Sequence, residues 1–250
     1  MTSLSAFSSV GRGLVFAGIG LLIGIGIGSL LAETTEGNDA QIRITLGYVF
    51  ALIGWLIGVG VWQVWAKEWF GLRPGQREAH GWRRYLTFST DHKVIGVQYL
   101  VTFMVLFLLA GLLAVLIRVE LIDDGQTLLG AENFNTVMSL HGIIMVAVAV
   151  ATIMGGFANF AVPLMIGADD VAFPRINALS FWIIPPVAVL LILTPVFGGF
   201  DSGWTTYPPL SVVNADGQLL FLLAFVTFGL SSILGGLNFI TTIVMLRAPG

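Results

Sequence analysis

The chain is 250 residues long, 56% hydrophobic and 10% charged, with a mean hydropathy of +0.93. Soluble domains carry about a quarter charged residues, so this composition excludes a water-soluble globule and points to a polytopic membrane protein. The absence of cysteine excludes a disulfide, an iron–sulfur cluster and a thiolate zinc site, and a net charge of −3 with basic residues in short loops argues against a nucleic-acid partner.

A spanning helix needs about 20 mostly apolar residues. Six runs qualify, predicting an all-α membrane bundle: Gly13 to Ala32, Ile44 to Trp65, Val94 to Ile117, Val137 to Ile166, Ala178 to Phe197 and Leu219 to Leu246. The first is too long for the apolar core of a signal peptide and lacks a cleavage pattern behind it, so it reads as a retained helix. Its run GIGLLIGIGIG is not a dinucleotide fingerprint, because no strand precedes it; small residues four apart in an apolar segment are the pattern of close helix packing. The link Lys67 to Lys93, with a turn expected at Pro74-Gly75, separates an extension of two helices, residues 1–84, from a four-helix block, residues 85–250. Nine of the eleven basic residues lie at the amino terminus, in that link, beside Arg175 and in the tail with Arg247, whereas Arg43 and Arg118 share the other face with nine of the fourteen acids. The positive-inside rule therefore puts both termini in the cytoplasm.

Polar residues inside spans are functional candidates by default. His141, in ENFNTVMSLHGIIM, is expected roughly 10 Å below the outer surface, from a rise of about 1.5 Å per residue. Gly142 beside it leaves room for something flat and bulky. Two readings stand: a histidine bonded to a neighbouring helix, or a metal or heme ligand. Asn159, Asp170 and Asn177 gather at the inner end of the same segment, where Pro163 is expected to kink or end the helix and free backbone carbonyls. They read either as a loop cap, which the residues alone favour, or as the collecting end of a proton-carrying water chain. In the last span, Ser231 and Ser232 have an ordinary outlet in bonding to carbonyls one turn earlier. Asn238 has none and is expected to face another helix or a wet path. Arg118 reads as a snorkelling interfacial arginine, or as the partner of a buried acid or cofactor carbonyl.

The strings FSTDHKVIG, FNTVMSLHGIIM, NFAVPLMIGADDVAFPRIN, SFWIIPP, GWTTYPPLS and SSILGGLNFITTIVMLR carry a resemblance. From Tyr85 to Gly250, about two thirds of the chain, the sequence resembles the first four helices of subunit I of the heme-copper oxidases, the cytochrome c oxidase type. The resemblance implies that His141 is an axial ligand of a low-spin heme, of type a or b, that Arg118 hydrogen-bonds a peripheral group of it, and that Trp204 lies near its propionates. It implies that Asp170 is the acid at the mouth of the D-type proton channel, with Asn159, Asn177, Asn238, Ser231 and Ser232 further along. Glu120 and Gly125 match a site that holds calcium or sodium in some members.

Three positions depart from the family: Asp169 stands where proline is usual, Phe134 replaces a common tyrosine and Ser139 a common threonine. The adjacent carboxylates leave open which acid is the mouth, one being able to hold the other protonated. The second axial histidine, the high-spin heme ligand, the three copper histidines and the cross-linked tyrosine come from later helices in the family. His92 and His80 are not expected at membrane depth, so neither reads as a metal ligand. The expectation is thus the amino-terminal part of a longer subunit I in the inner (plasma) membrane. Its implied partners are the rest of subunit I, subunit II with the electron-donor site, subunit III, and cytochrome c or quinol as donor. The implied reaction is reduction of oxygen to water with proton pumping. The alternatives are a nitric-oxide-reducing relative and a non-catalytic membrane subunit or assembly component.

Overall fold

The computed structural model describes residues 9–33, 39–71, 81–125 and 128–249. His80 and the Pro74-Gly75 turn lie outside them. Among the described residues the chain is helical without strands, and six helices are long and apolar enough to cross a membrane.

Helices α1 (Ser9–Ala32) and α2 (Asp39–Val59) form an antiparallel hairpin joined by glycine. A Cβ on Gly20 would collide with the Phe50 carbonyl, one on Gly24 with the Leu46 carbonyl and one on Gly54 with the Phe16 carbonyl. The two backbones therefore touch directly, which is the packing the glycine spacing predicts. The second span stops earlier than its hydropathy suggests. Gly60 takes φ +111°, and a separate short helix, α3 (Val61–Trp69), follows. Hydropathy does not register a left-handed residue, which is why the two helices read as one.

A 3₁₀ turn at Gly81–Leu86 leads to α4 (His92–Glu120). Asp91 caps that helix by accepting the Lys93 N–H at 2.8 Å, and Arg84 pairs with the same carboxylate at 3.6 Å. The next span is a single rod of 36 residues in three pieces. These are α5 (Ala131–Gly142), a π-helical stretch at Ile143–Ala149 and α6 (Val150–Ile166). Pro163 neither ends α6 nor stops its pairing; Gly167, in the left-handed conformation, closes it. After α7 (Pro174–Leu193), a 3₁₀ turn at Thr194–Phe197 and a loop, α8 (Ala215–Met245) completes the bundle.

Helices α4 and α6, and α7 and α8, form the main packed pairs, around Ile95, Tyr99, Ile144, Phe181, Trp182 and Phe221. The hairpin docks on α7 and α8 through α2, held by bonds at three levels. Gln41 Nε2 donates to Asp216 at 3.2 Å, the Tyr48 hydroxyl to Thr227 at 2.7 Å, and the Trp55 indole N–H to the Trp182 carbonyl at 2.7 Å. One end of the bundle gathers Ser9, the residues before α4, the α6–α7 turn and the tail. There Phe88 N–H donates to Ser9 at 3.0 Å and Ala248 N–H to the Ile166 carbonyl at 2.9 Å. The opposite end holds the α4–α5 and α7–α8 loops, where Asn214 Nδ2 donates to Glu132 at 2.9 Å.

Candidate functional site

His141 sits near the second of these ends, on the last turn of α5, just before the backbone loosens into its π stretch. Its Nδ1 lies 2.9 Å from the Ala110 carbonyl of α4. A carbonyl only accepts, so Nδ1 carries the proton and Nε2 of the neutral ring keeps its lone pair. The histidine is thus bonded to a neighbouring helix and still able to ligate, and the two sequence readings are compatible. Gly142 follows it in the chain and Gly111 follows Ala110 in α4, and a Cβ on either would meet nothing within 4 Å. That open face, with a fixed tautomer beside it, fits a flat ligand such as a heme. Arg118 is exposed and stands seven residues beyond Gly111, two turns and about 10 Å along the same face of α4. Trp204, also exposed, lies on the loop that crosses this end. The neighbouring Gly203 N–H donates to Ser139 Oγ at 3.1 Å, so the serine found in place of threonine fastens that loop two residues from His141.

The ion expected at Glu120 and Gly125 is less well provided for. Glu120 is buried, and its Oε2 accepts the N–H groups of Leu128 and Leu129 at 2.7 and 2.9 Å, clasping the α4–α5 loop. Gly125 turns that loop at φ +101°, and among the described residues no group of three or more histidines or acids is placed to hold a metal. These residues do not fit an ion site unaided, and no step is assigned to one.

At the first end, polar groups converge. Asn177 Nδ2 donates to Asn159 Oδ1, and Asn159 Nδ2 donates to the Gly155 carbonyl at 2.8 Å. Ser180 Oγ donates to the Asn177 carbonyl at 2.8 Å, Ser231 Oγ to the Ser180 carbonyl at 2.7 Å, and the Tyr99 hydroxyl lies 3.0 Å from Ser180 Oγ. These residues, with Thr152 and Ser232, form the polar part of the largely apolar lining of a half-open cavity of about 280 Å³ between α4, α6, α7 and α8, well above the volume one water needs. Asn177 Oδ1 is buried with no protein partner.

Asp170 and Asn238 are not in that lining. Asn238 faces the start of α7, where its Oδ1 accepts the Phe173 N–H at 2.8 Å, and Thr242 Oγ1 accepts the Ala172 N–H at 2.9 Å. Asp170 accepts the Val171 N–H at 2.7 Å, so it caps its own turn. Burial pushes its carboxyl above the usual aspartate range, opposed by the Val171 N–H and by His92 and reinforced by Asp91. Asp169 is exposed, and the acid that adds to the push on Asp170 is Asp91 and not its neighbour. The half-buried Asp170 is therefore the acid that faces the bundle.

His92 was passed over by the sequence reading. It is buried, and its Nδ1 lies 2.7 Å from the Asn159 carbonyl. Pro163, four residues beyond Asn159, has no N–H to give that carbonyl, and the imidazole supplies the missing donor. Tyr99, Ser180 and Thr242 join this polar set only through packing, with the Tyr99 hydroxyl 3.0 Å from Ser180 Oγ and Thr242 Oγ1 accepting the Ala172 N–H.

The family model described as cytochrome C and quinol oxidase polypeptide I matches residues 94–250. The chain is 47% identical over 178 residues to cytochrome c oxidase subunit 1 of Thermostichus vulcanus, covering 70% of this chain and 32% of that protein. It is 44% identical over 167 residues to cytochrome c oxidase subunit 1 of Synechocystis sp., covering 66% of this chain and 30% of the relative. With probable cytochrome c oxidase subunit 1-beta of Nocardia farcinica it shares 46% over 173 residues, 67% of this chain and 29% of the relative. The chain thus spans about a third of the length of the relatives it matches. The matched segment begins inside α4 and takes in the histidine site and the polar cavity together, and on that footing the chain belongs to the cytochrome c and quinol oxidase polypeptide I family.

Proposed function

We propose that this chain is the amino-terminal part of subunit I of a proton-pumping terminal oxidase that reduces oxygen to water, with both termini on the cytoplasmic side. In this reading His141 is one axial ligand of a low-spin heme, and residues beyond this segment supply the other ligand, the high-spin heme and the copper. Heme, when bound, supplies reversible one-electron chemistry. The observation that carries the reading is the His141 geometry: Nδ1 engaged by the Ala110 carbonyl, Nε2 left with its lone pair, and open space at Gly142 and Gly111. Arg118 would hydrogen-bond a peripheral group of the heme, and Trp204 would lie near its propionates.

The protein's own work at the other end concerns protons. Asp170 collects a proton at the mouth, with its affinity raised by burial. Asn159, Asn177, Ser231 and Ser232 order water in the cavity, with Asn238 at its approach, and none of these neutral side chains places a charge in the path. Each charge moved against 100 mV costs about 2.3 kcal/mol, so a route through neutral polar groups limits leakage. The rest of subunit I, subunits II and III, and cytochrome c or quinol complete the assembly.

A reduced-minus-oxidised optical spectrum of the complex purified through this chain tests the reading. A low-spin heme band that disappears in His141→Ala is the expected result; a band indifferent to that change removes the histidine from the heme and with it the basis of the proposal.

A further inference from the structure

The hydrogen-bond ladder of the helix that carries Asn177 and Ser180 is interrupted by its own sequence. Pro185 and Pro186 stand inside α7, and Pro186 has no N–H for the carbonyl of Trp182. In a bilayer such a carbonyl has no water to turn to. The donor it receives comes from the amino-terminal extension: the Trp55 indole N–H reaches it at 2.7 Å, with both tryptophans buried. The Trp55 ring is held from the other side by α1, where a Cβ on Gly13 would fall 2.7 Å from Trp55 Cε3. From Trp55 a run of ring contacts leads to the polar cavity. Trp55 and Trp182 centroids are 5.9 Å apart, Trp182 and Phe181 5.3 Å, and Phe181 and Tyr99 5.1 Å. The hydroxyl of Tyr99 ends the run 3.0 Å from Ser180 Oγ.

We infer that the α1–α2 hairpin is a positioning element for the proton route, and that Trp55 is its positioning residue. By satisfying the Trp182 carbonyl, Trp55 keeps the proline-interrupted part of α7 helical, so that Asn177 and Ser180 on the preceding turns stay aimed into the cavity. Gly13 serves the same end by admitting the ring between α1 and α7. The extension is on this account a working part of the core and not an appendage to it. The inference rests on the reading of the cavity as a proton route.

The test uses the assembled complex in vesicles, with proton uptake followed by a pH-sensitive dye and hydrogen exchange followed over α7. Trp55→Phe keeps a ring and removes the donor. It is expected to retain the heme spectrum, to slow uptake severalfold and to speed exchange in the middle of α7 by roughly fivefold to a hundredfold, the factor for one lost bond to a buried carbonyl. Pro186→Ala restores an N–H from within α7, so the double variant Trp55→Phe/Pro186→Ala is expected to recover both uptake and protection. Wild-type uptake and exchange in Trp55→Phe overturns the inference, as does a double variant as impaired as the single one. Should Trp55→Phe fail to accumulate, recovery of a heme-carrying complex in the double variant supports the inference and absence of recovery overturns it. Asp170→Asn run beside these separates the two claims. If it leaves uptake intact, the proton-route reading fails whatever Trp55 does; if it abolishes uptake while Trp55→Phe behaves as wild type, only the inference fails.

Discussion

Pro163 and His92 form a pair that works across two helices: the proline withdraws a donor from the Asn159 carbonyl and the imidazole returns one at 2.7 Å. His92→Ala leaves that buried carbonyl without a partner, which costs about 1–3 kcal/mol. A lowered melting temperature in detergent is the expected outcome, with slower proton uptake because Asn159 loses its fixed place opposite Asn177. At Asp170 the sign of the pH dependence follows from the direction of the shift. An acid raised in the folded state contributes stability below its unfolded value, about 3.9, and loses it as pH rises through the higher folded value. Asp170→Asn is therefore expected to melt no lower than wild type at pH 7 to 8. Its disadvantage, if any, appears only toward pH 4, and proton uptake is lost throughout. Melting curves across that range, beside dye-detected uptake, check both halves. The doubt left by the adjacent carboxylates was not resolvable from the sequence, since Asp169 and Asp170 differ only in which way each faces.

At the level of the elements, the π stretch between α5 and α6 matters most. His141 and Asn159 are 18 residues apart, five turns of regular α-helix and so one face of it. A π stretch fits extra residues into its turns and rotates the face that follows, by about 100° per residue inserted. His141 accordingly meets α4 at Ala110, while the Asn159 side chain meets α7 at Asn177. Hydropathy reads straight through Ile143–Ala149 because all seven residues are apolar, so nothing local in the pattern discloses the change of pitch. The glycine hairpin is the opposite case, fully legible, because residues four apart define a face of a helix and Gly20 and Gly24 leave that face bare. Gly24→Leu drives a side chain into the Leu46 carbonyl and costs at least the upper end of the roughly 1–3 kcal/mol typical of overpacking. Thermal unfolding in detergent is expected to show it, whereas Gly26→Leu, where a Cβ would meet nothing within 4 Å, leaves the melting point unchanged.

For the whole molecule, the bundle has two chemically distinct ends. One gathers Arg12, Arg84, Lys93 and Arg175 at the end that also carries Asp170; the other gathers Glu132, Asp216 and the loops over His141. Because the chain contains no cysteine, single cysteines read the orientation without background. Asp124→Cys is expected to react with an impermeant maleimide in intact cells, and Arg247→Cys only after permeabilisation. The reverse pattern would invert the proposed direction of proton uptake.

The sequence by itself determined the number of spans, the glycine packing of the first two and the positions of the polar residues in depth, because hydropathy and helical spacing are local and add along the chain. The tertiary structure alone decided which acid faces inward, which polar side chains share one cavity, and what satisfies the carbonyls that Pro163 and Pro186 release. Those partners lie 67 and 127 residues away, and only packing brings them within hydrogen-bond reach.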